Sequence, residues 1–252
     1  MTHKKHMVAV CDILGFADLV RSRPLDEVVT ASLGWFLKAM AHSLRKNGFP
    51  EEPPALSELR KHPLIGFDWF SDTVLLYTRE DTDNHCRELC ATVAWLTFET
   101  MLRSDVRVRC GVAYGEAHID EANGIYVGRP IVEAHELEKA QIWAGGAFTE
   151  SAVNRLPQIA RGGQAFDWFV VPYRVPLKRE EGANLAVDWT KGIHFDFHLL
   201  WSPSSDEPTE GDWETNRELC EKWRNTVAFH NEVCFWCRRK EGTQQPAGGY
   251  CR

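Results

Sequence analysis

Nowhere does the 252-residue chain reach the ~18 consecutive apolar residues that a membrane-crossing helix needs. Its first six residues lead into a short apolar stretch that already contains an acid, Asp12, which is unlike a secretory signal, so a cytoplasmic protein is expected. Positive charge is in deficit: 29 Lys and Arg face 36 Asp and Glu, a formal charge of −7. A surface that is acidic on average repels a polyphosphate backbone, so a long nucleic acid is not an expected partner, while local basic groups can still hold one triphosphate. Cysteine is too sparse for a disulfide scaffold. The eight residues Cys11, Cys86, Cys90, Cys110, Cys220, Cys234, Cys237 and Cys251 are scattered, and most are expected as reduced thiols. No repeat of fixed period is evident.

What is present is material for a substantial core, at 44% hydrophobic and 26% charged residues. A single domain over residues 1–240 is expected, with the polar, Gly-rich 241–252 as a frayed tail. Residues 7–12 read as a strand ending in an acid, with Gly15 as its stop. Residues 26–45 have helical spacing, with Val29, Leu33, Leu37, Met40 and Leu44 near one stripe. Four prolines make 48–63 a loop. Residues 66–78 read as two strands about a Ser71-Asp72 turn, 85–103 as a helix, and 106–112 as a strand whose Arg107, Arg109 and Gly111 form a polar face. Pro130 opens a helix over 128–143. Later strands are expected at 166–177 and 192–201, a solvated connection at 202–212, and a closing helix at 213–238.

Two acids carry the chemistry. Asp12 ends one strand and Asp72 tips a hairpin, and the two converge if those strands are neighbours in one sheet. Paired carboxylates suit two Mg²⁺ or Mn²⁺ ions about 4 Å apart, the usual arrangement for in-line displacement at phosphorus. The plainer alternative is that each Asp caps a turn.

Cys11-Asp12-Ile13-Leu14-Gly15-Phe16 resembles the first metal motif of class III nucleotidyl cyclases, and Phe70-Ser71-Asp72-Thr73 resembles their hairpin motif, which normally reads Gly-Asp. Arg109-Cys110-Gly111-Val112, Gly115, and Gly128 with Ala134 and Leu137 follow that family's order and approximate spacing over about residues 7–150. The resemblance implies an α+β, ferredoxin-like domain with a central, mostly antiparallel sheet flanked by helices. It implies that Asp12 and Asp72 ligate both metals, that Ile13 adds its carbonyl, and that Gly15 and Phe16 offer backbone amides to phosphate. It also implies a head-to-tail homodimer with shared active sites.

Departures from the pattern matter as much. The transition-state Asn and Arg of purine cyclases fall here on Val132 and Glu136, and the adenine-reading Lys and Asp on Asp68 and Ile125. Either the site is silent and merely binds nucleotide, or cations from elsewhere serve a base that is not adenine. Retention of two mutually repelling carboxylates favours the second. Arg129, Arg109, Lys139 and Lys178 are candidate cations, Arg129 foremost in catalysis and Arg109 in substrate binding. Asp68 and Trp69, with Phe67 beside them, are candidate base-pocket residues.

The chain is further similar to the stand-alone pyrimidine cyclases of bacterial Pycsar anti-phage systems. The implied product is cyclic UMP or cyclic CMP, UTP being favoured as substrate, with a separate effector reading the signal. An adenylate or guanylate cyclase with displaced base readers, and a silent dimerisation module, are the alternatives. His230, Cys234, Cys237 and Cys251 are weaker candidates for zinc, and packing is the expectation for Cys234 and Cys237. The ten tryptophans are expected in the core or a dimer interface, with Trp69 set apart.

Overall fold

Lys4–Ile13 forms β1, and its burial follows from having neighbours on both faces. In the computed structural model, which describes residues 4–45, 48–103, 106–163, 166–178, 183–191, 208–209 and 216–233, Met7, Ala9, Cys11 and Ile13 enter the main core, while Val8 and Val10 enter a smaller one on the opposite face. Successive residues point to opposite faces of a strand, so a strand covered on both sides is apolar throughout. β1 pairs antiparallel with β3 (Thr73–Thr78) and β4 (Val108–Asp120), and β3 pairs antiparallel with β2 (Ile65–Phe70).

The order β2-β3-β1-β4, with helices between β1 and β2 and between β3 and β4, is the ferredoxin-like arrangement that the family resemblance implied. β6 (Gly145–Phe148) runs parallel to β4 and extends the sheet through β8 (Leu185–Val187) to β7 (Val170–Pro172), while β5 (Ile125–Gly128) folds back on β4. Among the described residues the result is one mixed, mostly antiparallel sheet of eight strands. No described helix is long and apolar enough to cross a membrane.

Phe16–Ser22 forms α1, Gly34–Arg45 forms α2 and Asp83–Arg103 forms α3. The helix expected over 26–45 is interrupted. It opens with a turn at Leu25–Glu27 and a π-helical stretch, Val28–Leu33, before α2. The wider i→i+5 turn rotates the stripe, so Val28, Ser32, Phe36 and Met40 are buried and Val29, expected inside, is 50% exposed. A single turn of helix, Leu56–Leu59, stands within the stretch read as loop. α2 and α3 cover one face of the sheet, where Phe36, Met40, Leu89, Val93 and Leu96 meet the odd-numbered residues of β1.

Arg129–Ala140, α4, lies on the other face, and Gly111 permits it. A Cβ at Gly111 would stand 2.0 Å from the Ala134 carbonyl oxygen and 2.8 Å from the Glu138 nitrogen, both backbone atoms that cannot step aside. Gly111→Ala is therefore expected to destabilise the fold by about 3 kcal/mol or more, checked by urea unfolding. A change under about 1 kcal/mol would mean that α4 does not lie this close. The cover also corrects an expectation: the Arg109 and Gly111 face of β4 is buried beneath a helix, and β4 runs on to Asp120.

The helix expected to reach residue 143 stops at Ala140. Gln141 turns extended and its side chain donates to the Cys110 carbonyl at 2.9 Å, which frees Trp143 to enter a second core with Trp189 and Phe229. β6 was not expected, because Gly-Gly-Ala-Phe has little strand propensity. The strand expected over 166–177 is a 3₁₀ turn, Phe166–Trp168, followed by the three residues of β7. Arg217–Val233 forms α5, within the span expected as a closing helix. It packs Phe229 and Val233 on the second core, and its Thr226 hydroxyl accepts from the Ala144 amide at 2.9 Å. The strand read at 192–201, the tail at 241–252 and the candidate zinc residues Cys234, Cys237 and Cys251 lie outside the described residues, as does the 202–212 connection except 208–209. His230 is buried and stacks on Trp189 at 5.9 Å.

Candidate active site

Strand register brings the two acids together. Asp12 sits opposite Thr73 on one side and Arg109 on the other. Because Ser71-Asp72 is a two-residue turn between β2 and β3, Asp72 precedes Thr73 directly, and its carbonyl accepts from the Ile13 amide at 3.2 Å. The turn holds Ser71 at φ 56, the left-handed region that costs a residue with a Cβ and suits the glycine normal at this point of the resembling motif.

The Asp12 carboxylate accepts the Thr73 hydroxyl at 3.0 Å and stands 4.0 Å from the Arg109 guanidinium. Burial first, then the negative charges of Glu138 and Asp72, push its pKa up to about 6, against the opposing pull of Thr73 and Arg109. The charge of Asp72 is thus felt at Asp12. Two carboxylates that repel one another, beside a backbone carbonyl, form an all-oxygen donor set of the kind Mg²⁺ and Mn²⁺ prefer. No group of three or more His, Cys, Asp or Glu placed to share an ion is found among the described residues, so a metal here would rest on these two carboxylates with backbone and substrate oxygens.

Gly15 caps α1 at φ 74 and ψ 15, and a Cβ there would meet nothing within 4 Å. Its carbonyl accepts from the Asp18 and Leu19 amides, at 3.0 and 3.1 Å, which leaves Phe16 and Ala17 as the first-turn donors of the helix. Phe16 itself packs against the main core.

Arg109 is the most constrained cation of the site. Its Nε and Nη2 both lie 2.5 Å from one oxygen of Glu138, and Nη1 donates to the Gln141 carbonyl at 3.1 Å. Glu138 is 1% exposed, and burial raises its pKa while Arg109 opposes the rise. Reading the residues had not singled out Glu138 or Thr73. The signal for Glu138 was its position four after Ala134, on the stripe that meets Gly111; Thr73 needed the hairpin register.

Other candidates are placed apart. Asp68 pairs with Arg60 at 2.8 Å on the face of β2 that also carries Phe70. Trp69 and Phe67 face the opposite side and pack in the main core, Trp69 edge-on to Phe36 at 5.3 Å and bonded through its indole N–H to the Ser71 carbonyl. The structure therefore does not bring Trp69 to the same face as Asp68, since neighbouring strand residues alternate. The Arg129 side chain is 89% exposed and pairs with Glu133 one turn on, and Ile125, Val132 and Glu136 are exposed as well.

No protein-family model matches the chain, and no curated protein matches it. Among solved structures, the chain is similar to the catalytic core of a rhodopsin-guanylyl cyclase with converted specificity in complex with ATPαS, at 13% identity and TM-score 0.49, covering 73% of this chain and 94% of that one. It is likewise similar to a class III adenylyl cyclase-like ATP-binding protein from Pseudomonas aeruginosa, at 12% identity and TM-score 0.47, covering 76% of this chain and 40% of that one. A third is the non-canonical dimeric guanylyl cyclase domain of the RhoGC fusion protein from Blastocladiella emersonii, at 13% identity and TM-score 0.44, covering 61% and 84%. The chemistry of the site rests on its own residues.

Proposed function

We propose that this chain is a nucleotidyl cyclase that closes a nucleoside triphosphate onto its own 3′ oxygen. The observation that carries the reading is the convergence of Asp12 and Asp72 at one end of β1, close enough for one charge to raise the pKa of the other. In the reaction a bond forms from the 3′ oxygen to the α-phosphorus, the bond from that phosphorus to the bridging oxygen breaks, the hydroxyl proton passes to water and pyrophosphate leaves. Asp12 and Asp72, with the Ile13 carbonyl, would hold two Mg²⁺ or Mn²⁺ ions, whose chemistry is to acidify the hydroxyl and neutralise the leaving pyrophosphate. Phe16 and its neighbour present amides to phosphate at the Gly15 turn. Arg109, held by Glu138, sets a fixed positive charge beside Asp12.

The base is proposed to be a pyrimidine, UTP ahead of CTP. Asp68 and Ile125 stand where the resembling family reads adenine, and a carboxylate accepts the N3 proton of uracil or the amino group of cytosine. Ile125 and Arg129 lie on exposed surface and Asp68 is half-buried against Arg60, an arrangement that fits sites completed across a homodimer, Arg129 then serving the partner's phosphates. The anti-phage role and the separate effector are carried by the resemblance to pyrimidine cyclases.

Equal concentrations of ATP, GTP, CTP and UTP with Mn²⁺, the products separated by mass, test the proposal. Cyclic UMP or cyclic CMP is expected at about a hundredfold over the purine products. Predominant cyclic AMP or cyclic GMP would end the pyrimidine reading, and no cyclic product would leave a nucleotide-binding module. Activity per chain should also fall on dilution below the dimer dissociation constant.

A further inference from the structure

One fully buried amide, that of Gln141, stands between Arg109 and the second core. Both ends of it are bonded. Nε2 donates to the Cys110 carbonyl at 2.9 Å and to the Leu137 carbonyl at 3.2 Å, while Oε1 accepts from the Trp143 indole N–H at 2.7 Å. These partners fix which way the amide lies, because turning it over would set its oxygen against two carbonyl oxygens and its nitrogen against a donor. Cys110 belongs to the main core and Trp143 to the second, so an apolar side chain would be the ordinary occupant between them. A polar group that is buried and fully bonded fixes one arrangement of its neighbours.

The neighbours fixed here are the two pieces of chain that hold Arg109. Its guanidinium rests on the Glu138 carboxylate and on the Gln141 main-chain carbonyl, the latter 3.1 Å from Nη1. Gln141 in turn grips the carbonyl of Cys110, the strand residue next to Arg109. The result is a reciprocal clasp: the side chain of 109 on the main chain of 141, and the side chain of 141 on the main chain of 110. Because α4 stops at Ala140, the Gln141 carbonyl lies past the helical ladder and takes its place from what surrounds it. On one side the Ile142 amide donates to the Pro176 carbonyl at 3.0 Å, and Asn225 of α5 donates to the Ile142 carbonyl at 2.7 Å. On the other, the Trp143 ring stacks on Tyr173 at 5.6 Å and meets Phe229 of α5 edge-on at 4.7 Å. The clasp therefore joins the second core to a cation 4.0 Å from the Asp12 carboxylate.

We propose that Gln141 is a positioning residue, which holds the Arg109 guanidinium beside Asp12 and ties that placement to the packing of the second core; its consequence for turnover rests on the cyclase reading above. Gln141→Met keeps the length of the side chain and deletes the amide. The first readout is the Nε–Hε signal of Arg109, followed by NMR without metal or nucleotide, and its exchange with solvent should quicken about tenfold once the guanidinium is no longer clasped. The second is the cyclase assay, in which kcat should fall about tenfold with KM for the triphosphate within about twofold, because a displaced charge is missed most where charge develops in the transition state. The methionine leaves the Trp143 N–H buried without an acceptor, so Gln141→Met with Trp143→Phe removes that donor too and stands in where the single variant does not fold. The double variant should regain most of the lost melting temperature while the exchange rate and kcat stay at the altered values. Unchanged Arg109 exchange in a folded variant, or recovery of exchange and kcat together with stability in the double variant, would overturn the proposal and leave Gln141 a packing group. Faster Arg109 exchange in a protein whose wild type forms no cyclic nucleotide would uphold the placement and end the cyclase reading alone.

Discussion

Asp12→Asn is expected to make the protein more stable and catalytically dead at once. The Asp12 carboxyl has a pKa of about 6 in the fold against 3.8 as an ordinary carboxylate, so folding favours its protonated form. The sign follows: this group assists stability fully below about pH 4, and the assistance is lost as pH rises through 6, leaving a charged, part-buried carboxylate facing Asp72 at neutral pH. A shift of about two units corresponds to ~3 kcal/mol, and partial exposure brings the expected gain from an uncharged Asn to about 1–3 kcal/mol. Melting measured at pH 8 should show the mutant several degrees above wild type, and the difference should vanish near pH 4. Turnover, in contrast, should fall at least a hundredfold in Asp12→Asn and in Asp72→Asn, because each loses a charged donor to the metals. Mn²⁺ should raise the melting temperature of the wild type and not of the mutants. Near-normal turnover by either mutant at saturating Mn²⁺ would remove the two-metal reading.

Arg109→Ala is expected to be among the most destabilising single changes in the chain, at about 3–5 kcal/mol. The change leaves Glu138 inside the protein with no counter-charge, and breaking a buried pair by removing one partner is far worse than replacing both. The double change Arg109→Met with Glu138→Leu should therefore recover most of the loss in urea unfolding while remaining inactive. Burial already raises the Glu138 pKa against the pull of Arg109, so without the arginine this carboxyl takes up a proton more readily. The cost of Arg109→Ala should shrink as pH falls. If the single change costs less than about 1 kcal/mol at pH 8, the pair does not hold α4 to β4.

Much of the site was legible before any coordinates. The acid ending the first strand, the acid at the hairpin tip and the glycine after Asp12 are local features: each depends on a short run of residues and on turn chemistry within it. The same is true of the long regular elements, since β1 and α3 are long runs buried over most of their length and the β2–β3 hairpin is two short apolar runs about a polar turn. The ferredoxin-like order came from the family resemblance, because periodicity reports which face of a strand is buried and not which strand lies beside it.

Tertiary structure decided the rest. The side of β2 on which Trp69 ends, Val29 outside and Val28 inside, and the burial of Arg109 all turned on partners distant in sequence: the Phe36 ring, the π-helical stretch, and Glu138 on α4. By itself the sequence determined the residues proposed as donors, two carboxylates and a glycine turn, because residue chemistry and short-range spacing are enough to single them out. Their convergence and the pKa of about 6 at Asp12 were decided only by folding, because register, desolvation and long-range charge have no value until the strands pair and the helices cover them.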